Sequence, residues 1–265
     1  MEKTFSFGKN WQIFLKSLND DRFKFAEKSL TEFMKSDLKG KSFIDIGCGS
    51  GLFSYTALNL GASRVVSFDI DPFSVQCCRY LYDKANKPNN WEISEGSILN
   101  KEFVSKFGEF DVVYSWGVLH HTGDMWEAIR NSANLVKYGG YYYIAIYNKR
   151  GGLNGSGFWL RVKKMYNYSP KIGKWFIEGI YMFSYLTAYT IKLKNPVSYV
   201  RNYHKNKRGM RFKTDVTDWL GGYPYQFATP EEIFNFMKKE FPDFELMNIK
   251  STKGIGNNWF LFKKH

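Results

Sequence analysis

From Ser42 onward, short apolar runs alternate with stretches whose apolar positions recur every three to four residues, the pattern of parallel strands joined by crossover helices. Residues 42–46, 65–69, 91–94, 110–115 and 141–147 read as strands, and residues 52–60, 72–85, 101–106 and 125–135 as the helices between them. Each predicted strand ends at a polar or glycine-rich turn. The loops that follow the strands therefore gather along one sheet edge, where open α/β sheets bind their ligands.

After Asn148 the rhythm breaks. A turn rich in glycine (Gly151, Gly152, Gly155, Gly157) leads into helical stretches at 158–166 and 171–193, followed by a basic segment that reads as irregular as far as Gln226. The alternation resumes at Thr229-Pro230-Glu231-Glu232, where Thr at N-cap, Pro at N1 and Glu at N3 form a capping box that starts a helix through Lys239. Strands at 244–249 and 258–262 close the chain. The division that follows is an N-terminal helical arm (1–40), an α/β core (41–148 with 229–265) and a helical cap and acceptor-binding insertion (149–228) over the ligand edge.

The apolar stretch 175–193 contains Glu178, Gly179 and Lys192, a poor composition for a membrane span. It is expected to be a buried or interfacial helix, as a lid or part of the core, with a dimer contact or a membrane-surface element as the other readings.

Composition narrows the partners. Among 265 residues, 38 Lys and Arg face 25 Asp and Glu, a net charge of +13 that favours anionic partners. No dense basic run occurs, so the charge reads as solvated rather than as a nucleic-acid patch. Three cysteines, two of them adjacent (Cys77 and Cys78), give neither a disulfide framework nor metal-ligand spacing, and no metal site is expected. The N-terminus lacks the layout of a signal peptide, so the expected location is cytoplasmic.

The chemistry-bearing segments lie at the strand ends. Phe43-Ile44-Asp45-Ile46-Gly47-Cys48-Gly49-Ser50-Gly51 is an apolar strand with an acid near its end, then a glycine-spaced turn whose backbone can approach a ligand closely. Alone, this motif fits a dinucleotide enzyme equally well. The second strand ends in Asp69, a carboxylate able to accept hydrogen bonds from both ribose hydroxyls. Glu95-Gly96-Ser97-Ile98 follows the third strand, and the fourth, from Phe110, runs on into Ser115-Trp116-Gly117-Val118-Leu119-His120-His121.

These segments, taken in order, resemble the successive motifs of class I S-adenosylmethionine-dependent methyltransferases, and the turn before the fifth strand, Leu135 to Tyr141, resembles theirs. The likeness covers residues 42–147 and implies a Rossmann-like α/β sheet, mostly parallel with an antiparallel last strand, with S-adenosylmethionine as cofactor and S-adenosylhomocysteine as product. It implies Asp45, Gly47, Cys48 and Gly49 around the methionine moiety, Asp69 at the ribose, Ile70, Gly96, Ser97 and Ile98 at the adenine, and Ser115 and Trp116 near the methionine side and the acceptor. Tyr138 stands where proline is usual, and Ser97 where an acid is common. Phe7-Gly8-Lys9-Asn10-Trp11, Leu119-His120-His121-Thr122-Gly123 and Asp218-Trp219-Leu220-Gly221-Gly222-Tyr223-Pro224 resemble a narrower bacterial group associated with modifying sugars, polysaccharide precursors or secondary metabolites. Its likeness suggests that the arm covers the cofactor.

Methyl transfer requires an acceptor held in line and, for a hydroxyl of high pKa, a base. His121 and His120 are the base candidates, with one of the pair expected to be structural and His121 favoured as the base. Tyr147, Arg208, Arg211 and Tyr223 are the candidate acceptor ligands. The arginines could grip a phosphate or carboxylate, or instead pair with Asp215 and Asp218. Gln226 stands where the related group is associated with an acid. The expected activity is O-methylation of a small polar acceptor: a sugar, a nucleotide-linked compound, or a phosphate or phosphoramidate precursor of a surface polysaccharide. The alternatives are an RNA methyltransferase and a non-catalytic binding protein of the same fold. Nucleic acid and stable membrane insertion are disfavoured, and a homodimer is left open.

Overall fold

The computed structural model describes residues 5–15, 18, 20–193, 195–206 and 212–265. In chain order the elements are α1 (Gly8–Leu15), α2 (Asp20–Met34), β1 (Ser42–Ile46), α3 (Leu52–Asn59), β2 (Arg64–Asp69), α4 (Pro72–Lys84), β3 (Trp91–Glu95), α5 (Lys101–Ser105) and β4 (Phe110–Trp116). A 3-10 turn at Leu119–His121 precedes α6 (Met125–Ala133) and β5 (Val136–Tyr147). Then come α7 (Ser156–Tyr168), α8 (Lys171–Ile191), α9 (Pro196–Asn206), α10 (Phe212–Gly221), α11 (Pro230–Glu240), β6 (Phe244–Lys250) and β7 (Asn257–Lys264).

The strands form one sheet in the order β3-β2-β1-β4-β5-β7-β6. The pairs from β3 to β5 are parallel, and β7, the last strand in sequence, runs antiparallel to both its neighbours. The order reverses beside β1, so the crevice between the ends of β1 and β4 is the topological switch point. Strand β5 begins at Val136, earlier than its periodicity predicts. Val136 pairs with Phe110 before a register shift, and Gly139 takes a left-handed φ of 76° within the same segment.

Both sheet faces are covered, which is why its central strands read as unbroken apolar runs. On one face Val104 of α5, Ala128 and Ile129 of α6, and Ile233 and Met237 of α11 pack against Val113, Ile144 and Phe260. On the other, Leu30 of α2, Ala57 of α3 and Leu81 of α4 pack against Phe43, Val65 and Tyr143. Each such buried Val, Leu, Ile, Met or Phe side chain contributes about 1.5–3 kcal/mol. The capping box at Thr229 is present: its hydroxyl accepts from Glu232 N at 3.1 Å, and the Glu232 carboxylate accepts from Thr229 N at 2.8 Å.

One expectation for residues 149–228 is overturned and another is narrowed. The basic stretch before Gln226, read as irregular, contains α9 and α10, because Tyr199, Tyr203, Phe212, Val216 and Leu220 supply the apolar stripes that join a separate cluster with Tyr166. Of the two readings of α8, buried or interfacial, the first fails: no residue along it is inaccessible, although Ile177, Tyr181, Met182 and Leu186 pack on that cluster. Its apolar residues fall on more than one side, so one set is left over when only one partner surface meets it.

The N-terminal segment crosses from the sheet to these helices. Asp71, the N-cap of α4, accepts from Phe73 N at 2.9 Å, and its other oxygen accepts from Gly8 N at 2.8 Å and Ser6 Oγ at 2.7 Å. Asn10 Nδ2 donates to Asp218 of α10, and Phe5 N donates to the Tyr223 carbonyl at 3.0 Å.

Candidate active site

A cavity of about 2470 Å³ opens at the switch point and runs from the ends of β1 and β2 to α8, α9 and α10. Its inner wall includes Asp45, Gly47, Cys48, Gly49, Asp69, Ile70, Gly96, Ser97, Ile98 and Trp116, ten of the eleven residues expected at the cofactor. The exception is Ser115. It is fully buried and its Oγ donates to the Ile46 carbonyl at 3.0 Å, pinning β4 to β1 instead of facing the cavity. Strand alternation explains the difference: Trp116 faces the cavity, so its predecessor points the other way.

Asp45 is held by a directional chain of hydrogen bonds. Trp91 Nε1 donates to Ser67 Oγ at 2.8 Å, Ser67 to Ser54 Oγ at 2.8 Å, and Ser54 to Asp45 Oδ2 at 2.6 Å. Burial pushes the Asp45 carboxyl up to about 7, against the pull of the Ser54 hydrogen bond. Asp69 accepts from Gly49 N at 3.0 Å on one oxygen and from Asp71 N at 2.9 Å on the other. The Ser74 side chain also bonds to this carboxylate, which leaves about one acceptor position for a further donor, and burial raises this carboxyl to about 6. Gly47 adopts φ 71°, and a Cβ there would lie 2.3 Å from a Val118 methyl. At Gly49 a Cβ would meet the Trp11 indole at 3.0 Å, so the N-terminal segment rests directly on the glycine turn.

The two histidines occupy different environments. His120 is inaccessible; its Nδ1 accepts from Tyr147 N at 3.2 Å, its ring centroid lies 4.0 Å from that of Tyr147, and burial holds it well below the ordinary histidine range. The neutral ring therefore carries its proton on Nε2, which has no hydrogen-bond partner among the described residues. His121 lines the cavity, and its Nδ1 lies 2.6 Å from the Pro224 carbonyl oxygen. A carbonyl only accepts, so Nδ1 carries the proton and Nε2 is left as the basic nitrogen. Burial lowers the His121 pKa to about 3, against the Pro224 hydrogen bond.

Around them lie Tyr147 and Tyr223, both on the cavity wall, with Trp219 and Tyr225 packed against Tyr147. Arg208 and Arg211 lie outside the described residues. The cations on the cavity wall are Arg22 of α2, Arg201 of α9 and Lys213 of α10, and the last two stand on the cap side. Asp215 and Asp218 have other partners, the Tyr203 hydroxyl and Asn10. Gln226 Oε1 accepts from Met125 N at 2.8 Å and Gln226 N donates to the His120 carbonyl at 2.9 Å, so this residue ties α6 to the histidine turn.

Sequence reasoning also missed Lys163, which is completely buried. Its ammonium donates to the Trp219 carbonyl and stands 4.0 Å above the Trp219 ring and 4.8 Å from that of Tyr225. Burial lowers it to about 7, with Asp218 pulling the other way, while Asp218 is itself raised to about 7 by burial. Periodicity within α7 offered the only signal, since Lys163 shares a helix face with Trp159, Tyr166 and Asn167.

The chain belongs to the family described as "Methyltransferase domain", whose model matches residues 37–178. Its cofactor is S-adenosylmethionine. Among curated proteins it is similar to the ribosomal protein L11 methyltransferase of Tolumonas auensis, 54% identical over 43 residues, 16% of this chain and 15% of that protein. It is also similar to the tRNA U34 carboxymethyltransferase of Ectopseudomonas mendocina, 37% identical over 87 residues, 32% of this chain and 26% of that protein. The chain thus spans only a minor part of these relatives. Among solved structures, magnesium protoporphyrin IX methyltransferase of Synechocystis PCC 6803 with bound S-adenosylhomocysteine superposes with a TM-score of 0.53 at 16% identity, covering 94% of this chain and 89% of that one. That likeness is one of fold.

The inner cavity wall suits this cofactor on its own chemistry. Asp69 retains acceptor capacity for a hydroxyl donor, Asp45 offers a buried carboxyl that a cationic ligand would ionise, and Ile70, 70% exposed, offers an apolar surface beside Asp69 that a planar base could cover.

Proposed function

We propose that the protein methylates an oxygen of a small polar acceptor, the best-matched class being a sugar, a nucleotide-linked compound, or a phosphate or phosphoramidate precursor of a surface polysaccharide. The carrying observation is the His121–Pro224 pair, which leaves one unprotonated imidazole nitrogen on a residue of the cavity wall.

In this reading Asp45, Gly47, Cys48, Gly49, Asp69, Ile70, Gly96, Ser97, Ile98 and Trp116 hold S-adenosylmethionine, which supplies an electrophilic methyl group. His121 takes the proton of the acceptor hydroxyl. Its depressed pKa keeps the ring unprotonated across the physiological range but makes it a weak base, so the proton moves to Nε2 only as the methyl transfers and not beforehand. His120 acts indirectly, fixing Tyr147 through the backbone bond and the ring contact. Tyr147, Tyr223, Arg201 and Lys213 orient the acceptor, the two cations by pairing with an anionic group. For an acceptor oxygen that is already anionic, the cations outweigh the histidine.

The proposal includes the division into arm (1–40), core (41–148 with 229–265) and cap (149–228), and a cytoplasmic location. Three cysteines without a disulfide support the latter. The test is methyl transfer from labelled S-adenosylmethionine to a panel of sugars, sugar nucleotides and phosphorylated sugars, with tRNA and ribosomal protein alongside. Labelling of a small acceptor that is lost in His121→Asn supports the reading; labelling confined to tRNA or protein defeats it.

A further inference from the structure

We propose that α8 is an interfacial helix that seats the protein on an anionic membrane surface. Its outward side carries an apolar stripe from Ile172 to Phe183, with Ile191 standing apart near the other end. Ile172, Trp175, Phe176, Ile180, Phe183 and Ile191 recur at helical spacing and are 55–82% exposed. From Ile172 to Phe183 this stripe runs roughly 18 Å at 1.5 Å per residue.

The charge around the stripe has one sign. Glu178 is the only acid in α8, and it is turned inward, accepting from the Tyr166 hydroxyl at 2.6 Å and Thr217 Oγ1 at 3.2 Å. Lys171 and Lys174 stand at one end of the helix, and Lys192 follows the other. By sequence, residues 149–228 contain fifteen Lys and Arg against three Asp and Glu, so they account for twelve of the thirteen net positive charges. An apolar face framed by lysines is the layout of helices that lie in the headgroup layer, where buried apolar area and attraction to anionic lipid add. Among the described residues no helix is long and apolar enough to cross a membrane, so α8 would lie on the surface.

A second copy of the chain is the competing occupant. Pairing two α8 faces would bring together two segments carrying twelve positive charges each, whereas anionic lipid neutralises them. The inward side of the same helix also contributes Met182 to the cavity wall, which would set the outer part of the cavity close to the bilayer. The inference stands independently of the acceptor reading.

The experiment is sedimentation of the full chain with vesicles of equal parts phosphatidylglycerol and phosphatidylcholine, and with phosphatidylcholine alone. We expect the pelleted fraction to be roughly tenfold higher on the anionic vesicles and to fall as salt shortens the screening length. Combined Trp175→Ser, Phe176→Ser and Ile180→Ser should abolish pelleting. Trp175→Phe should keep pelleting but lose the blue shift of tryptophan emission on vesicle addition. Equal pelleting on both vesicles, no pelleting, or an undiminished blue shift in Trp175→Phe overturns the proposal. So does a doubled mass in solution that the triple substitution abolishes without any vesicle binding.

Discussion

Nδ1 of His121 and the carbonyl oxygen of Pro224 lie 2.6 Å apart, joining the turn after β4 to a loop more than a hundred residues further along the chain. This contact fixes both the tautomer and the ring plane of a cavity residue. His121→Asn is therefore expected to lower kcat by about 10²–10⁴-fold for a hydroxyl acceptor while changing cofactor affinity little. Steady-state kinetics with separate cofactor titration checks this; an equal loss of cofactor binding would make His121 a structural residue instead.

The same histidine sets a pH dependence of stability. Its folded pKa of about 3 lies below the ordinary value, so below about pH 6.5 the unfolded chain binds a proton that the folded chain refuses. Stability should be unaffected by this group above that pH and should fall as pH drops toward about 3, by about 1–2 kcal/mol at pH 5 after allowance for partial exposure. His120 adds a loss of the same sign. Urea titrations of the protein and of His121→Gln at pH 7 and pH 5 should show the gap between them narrowing on the acid side.

Asp45 and Asp69 act in the opposite sense. With folded values of about 7 and about 6, they contribute stability that is complete below the ordinary carboxylate range and lost as pH rises through those values. A cationic ligand favours the ionised carboxyls, so cofactor binding should release protons near pH 6 and almost none at pH 8. Affinity should rise with pH over that interval. Calorimetry in buffers of different ionisation enthalpy measures the release directly; identical enthalpies at pH 6 would mean that both carboxyls are already ionised.

Gly8 packs where no side chain fits, since a Cβ would lie 2.6 Å from both Phe73 Cβ and Ser74 N. Gly8→Ala should lift the N-terminal segment from Asp71, with cofactor dissociation faster by roughly tenfold and global stability reduced by only about 1 kcal/mol. Stopped-flow displacement of bound cofactor reports the first quantity and thermal unfolding the second.

How much of this was legible in the sequence follows from the range of the interactions concerned. The strands, Asp45, Asp69 and the glycine turn could be read locally, because a buried parallel strand must be apolar and its loop must turn sharply. The cap could not be read so far. Its stripes are made of tyrosine and phenylalanine among many lysines, so Tyr199, Tyr203 and Phe212 did not register as a core. Uniform apolarity in α8 hid which face would pack. Ser115 was misplaced because motif position ignores strand parity, and the burial of Lys163 depends on Trp219 and Tyr225, which arrive some sixty residues later.

The N-terminal segment touches the glycine turn through Trp11, helix α4 through Asp71 and helix α10 through Asn10. A strap fastened at both ends imposes a sequence of events. With the cofactor on the inner wall as proposed, this strap would lie across its way in and out, so loading would precede closure and release would need the strap to loosen.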